Sequence, residues 1–121
     1  MLLDSNIIIY AAEPNYRAVR EFISKHNSVV SIISKVEVLG YHKLSSENTQ
    51  RLEKIFQLLP IIAISDVVID MAISLRQKRK MSLGDALIAG TALSHDLPIV
   101  TANVKDYIWI DDLKVINPFA E

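Results

Sequence analysis

The chain has 121 residues, half of them hydrophobic and few of them Gly or Pro, which fits one domain over residues 1–121 and excludes a disordered or fibrous protein. Its net charge of −1 excludes a protein that coats nucleic acid by bulk charge, but not a nucleic-acid enzyme with a local basic patch. The absence of cysteine excludes disulfides, thiolate zinc sites and cysteine nucleophiles, and a reducing, cytoplasmic setting is expected.

Met1 to Leu3 is predicted as a very short strand ending at Asp4, and residues 5–12 as a helix. The opening MLLDSNIIIY has no basic segment and Asp4 interrupts its apolar run, so it does not read as a signal peptide. Pro14 suits the first turn of a second helix running to His26. Val29 to Ile33 is short and β-branched, a buried strand. Ser34 opens a helix through His42, and residues 46–59 carry Leu52, Ile55, Phe56 and Leu59 along one helical face. Residues 66–80 form another helix, and Ser82 opens one more through His95, broken by Asp96-Leu97-Pro98. Ile99-Val100 and Val115-Ile116 are the last strands. Short apolar strands alternating with helices predict an α/β fold, a parallel sheet covered by helices on both faces. No apolar stretch is long enough to span a bilayer.

The acids are the chemically informative residues, and each has a structural reading as well. Asp4 suits a helix N-cap after a strand. Ser34-Lys-Val-Glu37 and Ser82-Leu-Gly-Asp85 match capping boxes. Placement favours a site. Asp4 follows the first strand, Glu37 lies one turn into the helix after the second, and Asn103 and Asp106 follow the strand ending at Val100. In a parallel sheet these positions share the edge where ligands bind. Asp85 follows no strand, but it opens the helix leading into Ile99-Val100, and Ala86, Ala89 and Gly90 let that helix approach its neighbours closely. Carboxylates gathered beside such packing raise one another's pKa unless a cation neutralises them. Oxygen donors without His or Cys favour Mg²⁺ or Mn²⁺ over zinc.

The segments LLDSNIIIY, SKVEVLG, LGDALIAGTAL and IVTANVKDY, closed by VINPF, occur in an order that resembles the PIN-domain family, and within it the VapC-type toxin ribonucleases, from end to end of the chain. The resemblance implies a PIN-like α/β/α fold with a short parallel sheet. It also implies an endoribonuclease that uses Mg²⁺ or Mn²⁺ to hydrolyse RNA phosphodiesters, as the toxin of a toxin–antitoxin pair that inhibits growth or translation. Carried over, Asp4 and Asp85 are the main metal ligands, and Glu37 is a ligand or orients the attacking water. Many relatives have Asp two residues after the threonine matching Thr101. Here that position is Asn103, and the next acid is Asp106, so these two share the fourth corner of the metal and catalytic set. Ser5 and Thr101 are plausible donors that hold the acids from behind, or local turn formers. The family also implies a cognate antitoxin and a homodimer, with no membrane attachment. The apolar residues of helices 14–26 and 46–59 suit such contacts, or the core.

Arg76, Lys78, Arg79 and Lys80 form the one dense basic run, fit either to meet RNA phosphates or to complement a helix C-terminus. Arg17 and Arg20 are weaker candidates. His26, His42 and His95 lie away from the motifs, and Trp109 receives no function. Three alternatives stay open: a PIN-type nuclease with a housekeeping RNA or a DNA substrate, a non-catalytic PIN-like binding module, and a phosphoreceiver. The last needs an acceptor Asp at the end of a middle strand, which is not found.

Overall fold

A computed structural model describes residues 1–119. The elements run β1 (Leu2–Leu3), α1 (Ser5–Ala12), α2 (Arg17–Lys25), β2 (Val29–Ser31), α3 (Ile32–Leu39), α4 (Ser46–Leu58), β3 (Ile61–Ile62), α5 (Asp66–Lys78), α6 (Leu83–Ser94), β4 (Ile99–Val100) and β5 (Val115–Ile116). The strands form one parallel sheet in the order β3-β2-β1-β4-β5. This is the α/β class expected, with β1 at the centre.

Strand alternation divides the core into two layers. Leu3 aligns with Val30 and Val100, and their side chains pack with Ile7, Ile8, Val19, Leu52 and Phe56 from α1, α2 and α4. Leu2 aligns with Val29 and Ile99 and faces the other way, onto Leu75, Ile88, Ala89 and Ala92 of α5 and α6. Two-residue strands suffice because both faces are buried, and every apolar side chain of β1 and β4 is fully enclosed. The small residues of α6 bring it close to α5: a Cβ on Gly90 would stand 2.8 Å from the Val68 carbonyl oxygen.

The structure departs from the expected boundaries in three instructive places. Pro14 lies in a turn and α2 begins only at Arg17, because the Arg20 guanidinium occupies the end of α1, donating to the carbonyls of Ala11, Glu13 and Pro14 at 3.2, 2.6 and 3.1 Å. Arg17 is paired with Glu21 at 3.2 Å. Both arginines thus have intramolecular partners. Second, Ile32 and Ile33 leave β2 for α3, since Ser31 Oγ caps that helix by accepting from Ile33 N–H at 3.1 Å. Ser34 is therefore inside the helix, and the Ser34–Glu37 capping box does not form. Third, β3 is an additional edge strand that Ile61-Ile62 alone were too short to announce.

Candidate metal centre

β1 and β4 are neighbours and parallel, so Asp4 and Thr101 emerge side by side at the C-terminal edge of the sheet. Asp4 is buried and caps α1, accepting from Ser5 N–H at 2.9 Å. Its other oxygen accepts from Thr101 Oγ1 at 2.8 Å and from Asn6 Nδ2 at 3.3 Å. Asn6 Oδ1 in turn takes Ala102 N–H at 3.2 Å, and Thr101 Oγ1 takes Asn103 N–H at 3.0 Å. Three donors hold the carboxylate in one orientation.

Ser5 connects Asp4 to Glu37. Its hydroxyl lies 2.9 Å from Glu37 Oε1 and 3.0 Å from Ser34 Oγ, so the buried Ser34 braces the link between α1 and α3. Asp85 enters from the opposite side. Ser82 Oγ caps α6 by accepting Asp85 N–H at 3.1 Å, while the Asp85 carboxylate turns to the Tyr107 hydroxyl, which donates to its Oδ1 at 3.1 Å. The fully buried Tyr107 also faces Asp4.

Glu37 also approaches α6 directly. A side chain on Gly84 would collide with Glu37 Oε2 and stand 3.1 Å from its Cδ. Gly84 therefore leaves the space that the Glu37 carboxyl occupies next to Asp85. Gly84→Ala is expected to keep or raise thermal stability, because Ala gains up to about 1 kcal/mol in a helix. It should also displace Glu37, and the metal-dependent RNA cleavage that the resemblance implies should fall by about ten- to a hundred-fold. Paired melting curves and rate measurements check both halves. Loss of stability with unchanged rate would contradict this role.

Electrostatics match this picture. Burial, opposed by the Thr101 and Ser5 hydrogen bonds and reinforced by the Asp85 charge, raises the Asp4 pKa above its ordinary value. Burial, then the charges of Asp4 and Asp85, push the Tyr107 hydroxyl far upward, so it remains a donor and cannot serve as a base. Asp4 consequently takes up its proton at higher pH in the folded chain than in the unfolded one. Between those two pH values the folded state binds more protons, so Asp4's contribution to stability is lost as pH rises through the window. In EDTA, the urea midpoint of the unaltered protein should fall relative to that of Asp4→Asn as pH rises from below about 4 to neutrality. A relative gain over that range would contradict the burial of the charge.

The donor set fits a hard cation. All donors are oxygens, Asp4 and Asp85 are coupled by charge, and Asp85 Oδ2 and Glu37 Oε2 carry no hydrogen bond among the described residues. Mg²⁺ is commonly held by one or two carboxylates plus waters and substrate phosphate. Among the described residues, however, no three acidic or histidine side chains converge as a ready cage. Of the three expected acids, Asp4 and Glu37 are linked through Ser5, while the Tyr107 hydroxyl donates to Asp85.

The side chains of Asn103 and Asp106 make no hydrogen bond to Asp4, Glu37 or Asp85 among the described residues. Asn103 is exposed and touches the network only through its backbone N–H. Asp106 lies in a short 3-10 turn, Val104–Asp106, and opens onto a separate cleft of about 570 Å³ that Asp85 also lines. Arg76, Arg79 and Lys80 of the basic run line that cleft, joined by Lys105, whereas Lys78 faces away. Tyr107 and Asn6 were absent from the expected site. Their only sequence signal is adjacency, Asn6 two residues after Asp4 and Tyr107 immediately after Asp106.

The model of the family described as "PIN domain" matches residues 1–107. The chain belongs to the PIN-domain family. "Ribonuclease VapC" from Rickettsia bellii is 28% identical over 97% of this chain and 95% of its own length. Among solved structures, a toxin-antitoxin complex from Klebsiella pneumoniae contains a chain 30% identical to this one, with a TM-score of 0.80 and coverage of 99% of this chain and 98% of that one. A VapBC2 structure from Rickettsia felis, bound to a DNA fragment from its promoter, matches at 25% identity and a TM-score of 0.81 over 96% of each chain. No helix among the described residues is long and apolar enough to cross a membrane.

Proposed function

We propose that this PIN domain is a Mg²⁺- or Mn²⁺-dependent endoribonuclease, the toxin of a toxin–antitoxin pair, acting in the cytoplasm to inhibit growth or translation. The observation that carries this reading is the hydrogen-bonded set at the C-terminal edge of the sheet, in which Thr101, Asn6 and Ser5 orient Asp4 and Tyr107 orients Asp85. Support also comes from end-to-end similarity to proteins named as ribonucleases and to chains in toxin–antitoxin complexes. Asp4 and Asp85 would hold the cation, with Glu37 completing the set from α3. A bound divalent cation supplies positive charge for the phosphate and acidity for water. Glu37, whose Oε2 carries no hydrogen bond among the described residues, would orient a water beside that cation. Thr101, Asn6 and Ser5 fix Asp4, and Asp106 adds charge at the margin without direct ligation. A cognate antitoxin and a second copy of the chain are the proposed partners.

The reading is tested by incubating the purified chain with unstructured RNA, structured RNA and DNA, in Mg²⁺, Mn²⁺ or EDTA, beside Asp4→Asn. Cleavage of RNA that needs the cation and disappears in the variant is expected. Cleavage surviving both EDTA and the substitution would overturn the metal site. Preferential cleavage of DNA would replace the RNA reading. If a short reading frame adjoins this gene and encodes the antitoxin, its coexpression should restore growth.

A further inference from the structure

The basic cleft has a feature that charge alone does not require. Arg79 lies over the ring of Trp109, its guanidinium carbon 5.3 Å from the ring centroid. Trp109 Nε1 donates to the Asp106 carbonyl at 2.9 Å, which orients the indole and uses its only polar atom internally. Trp109 is half-buried and lines the cleft beside Arg79. Arg79 has no carboxylate partner among the described residues. Both groups line the same cleft as Asp85.

We propose, on the ribonuclease reading above, that Arg79 and Trp109 form a stacking platform for one unpaired base beside the scissile phosphodiester. Arg76, Arg79, Lys80 and Lys105 place four positive charges around the cleft against the negative charges of Asp85 and Asp106. A polyanion is drawn in by that excess, which reads backbone and not base. The indole and guanidinium supply flat, weakly hydrated surfaces of the kind on which unstacked bases settle. The cleft volume of about 570 Å³ lies within the range of roughly 300–1,000 Å³ typical of small-ligand sites. Bases inside a duplex remain stacked on their neighbours and present no free face to such a platform.

Trp109 is the only tryptophan of the chain, so its fluorescence reports on this position directly. Binding is measured in EDTA, which separates it from cleavage. An unstructured oligoribonucleotide should quench the emission. A duplex of the same length, and an oligomer of the same length lacking bases, should bind through charge with little quenching. Trp109→Leu and Arg79→Ala should each weaken binding of labelled unstructured RNA by about ten-fold, and Trp109→Phe should retain most of it. In metal-dependent cleavage the first two variants should raise KM with kcat largely kept. Arg79 is exposed, so its variant answers the question even if Trp109→Leu folds poorly. Equal quenching by duplex and base-free oligomers, or unchanged RNA affinity in Arg79→Ala, would overturn the platform. Quenching by unstructured RNA without any metal-dependent cleavage would sustain the platform and overturn the nuclease reading. Cleavage without quenching would do the reverse.

Discussion

Asp85→Asn is expected to reduce metal-dependent RNA cleavage by about a thousand-fold, equivalent to roughly 4 kcal/mol of transition-state stabilisation. The carboxamide has nearly the same shape, and its oxygen can still accept the Tyr107 hydroxyl that now lies 3.1 Å from Oδ1. The cap of α6 is unaffected, because it uses the Asp85 backbone N–H and Ser82 Oγ. The charge alone is lost, and with it half of the pair that attracts the cation. Mn²⁺ titration calorimetry and single-turnover rates measure the two consequences together, with circular dichroism as the check on folding. Asp106→Asn provides the contrast. Asp106 is exposed and shares only the basic cleft with Asp85, so its removal should cost less than about ten-fold. Equal losses in the two variants would mean that the metal lies between Asp85 and Asp106, away from Asp4.

Tyr107→Phe should weaken Mn²⁺ or Mg²⁺ binding by about ten- to a hundred-fold, the usual cost of removing a group that orients metal ligands. The ring of Tyr107 is fully buried beneath the acids, and its hydroxyl is a neutral donor facing both Asp4 and Asp85. Without it, the Asp85 carboxylate loses the only side-chain hydrogen bond recorded for it among the described residues and samples other rotamers. Loss of a hydrogen bond to a charged group also lowers stability by about 1.5–3 kcal/mol. Affinity is therefore measured well below the melting temperature, where a purely structural role would leave it unchanged. Calorimetry showing unchanged metal affinity beside lowered stability would reduce Tyr107 to a core residue. Phe fills the same ring volume, so the comparison isolates one oxygen atom.

Much of the layout is written in local pattern. The β-branched run Val29-Val30, the Ile99-Val100 pair after a Pro break, and the 46–59 helical face each declare themselves through periodicity and punctuation, and each element forms close to its expected place. Asp4, Glu37 and Asp85 are visible for a different reason: they lie in ordered motifs, Asp4 and Glu37 at positions that a parallel sheet sends toward one edge. Capping chemistry, also local, correctly accounts for the Asp4 side chain and the Asp85 backbone.

What local pattern leaves open is where side chains point once distant segments meet. Only the pairing of β1 with β4 places Thr101 against Asp4, across ninety-seven positions of chain. The Ser31 cap puts Ser34 inside α3, and only the packing of α1 against α3 sets it against Ser5. The burial of Tyr107 under two carboxylates, and the separation of Asp106 into a basic cleft with Trp109, likewise depend on how the segment after β4 folds back over α6. Sequence by itself determined most of the elements and the fold class and singled out the acids, because those follow from local propensity and ordered motifs. The tertiary structure alone decided which oxygens face one another, because that depends on contacts between residues far apart in the chain.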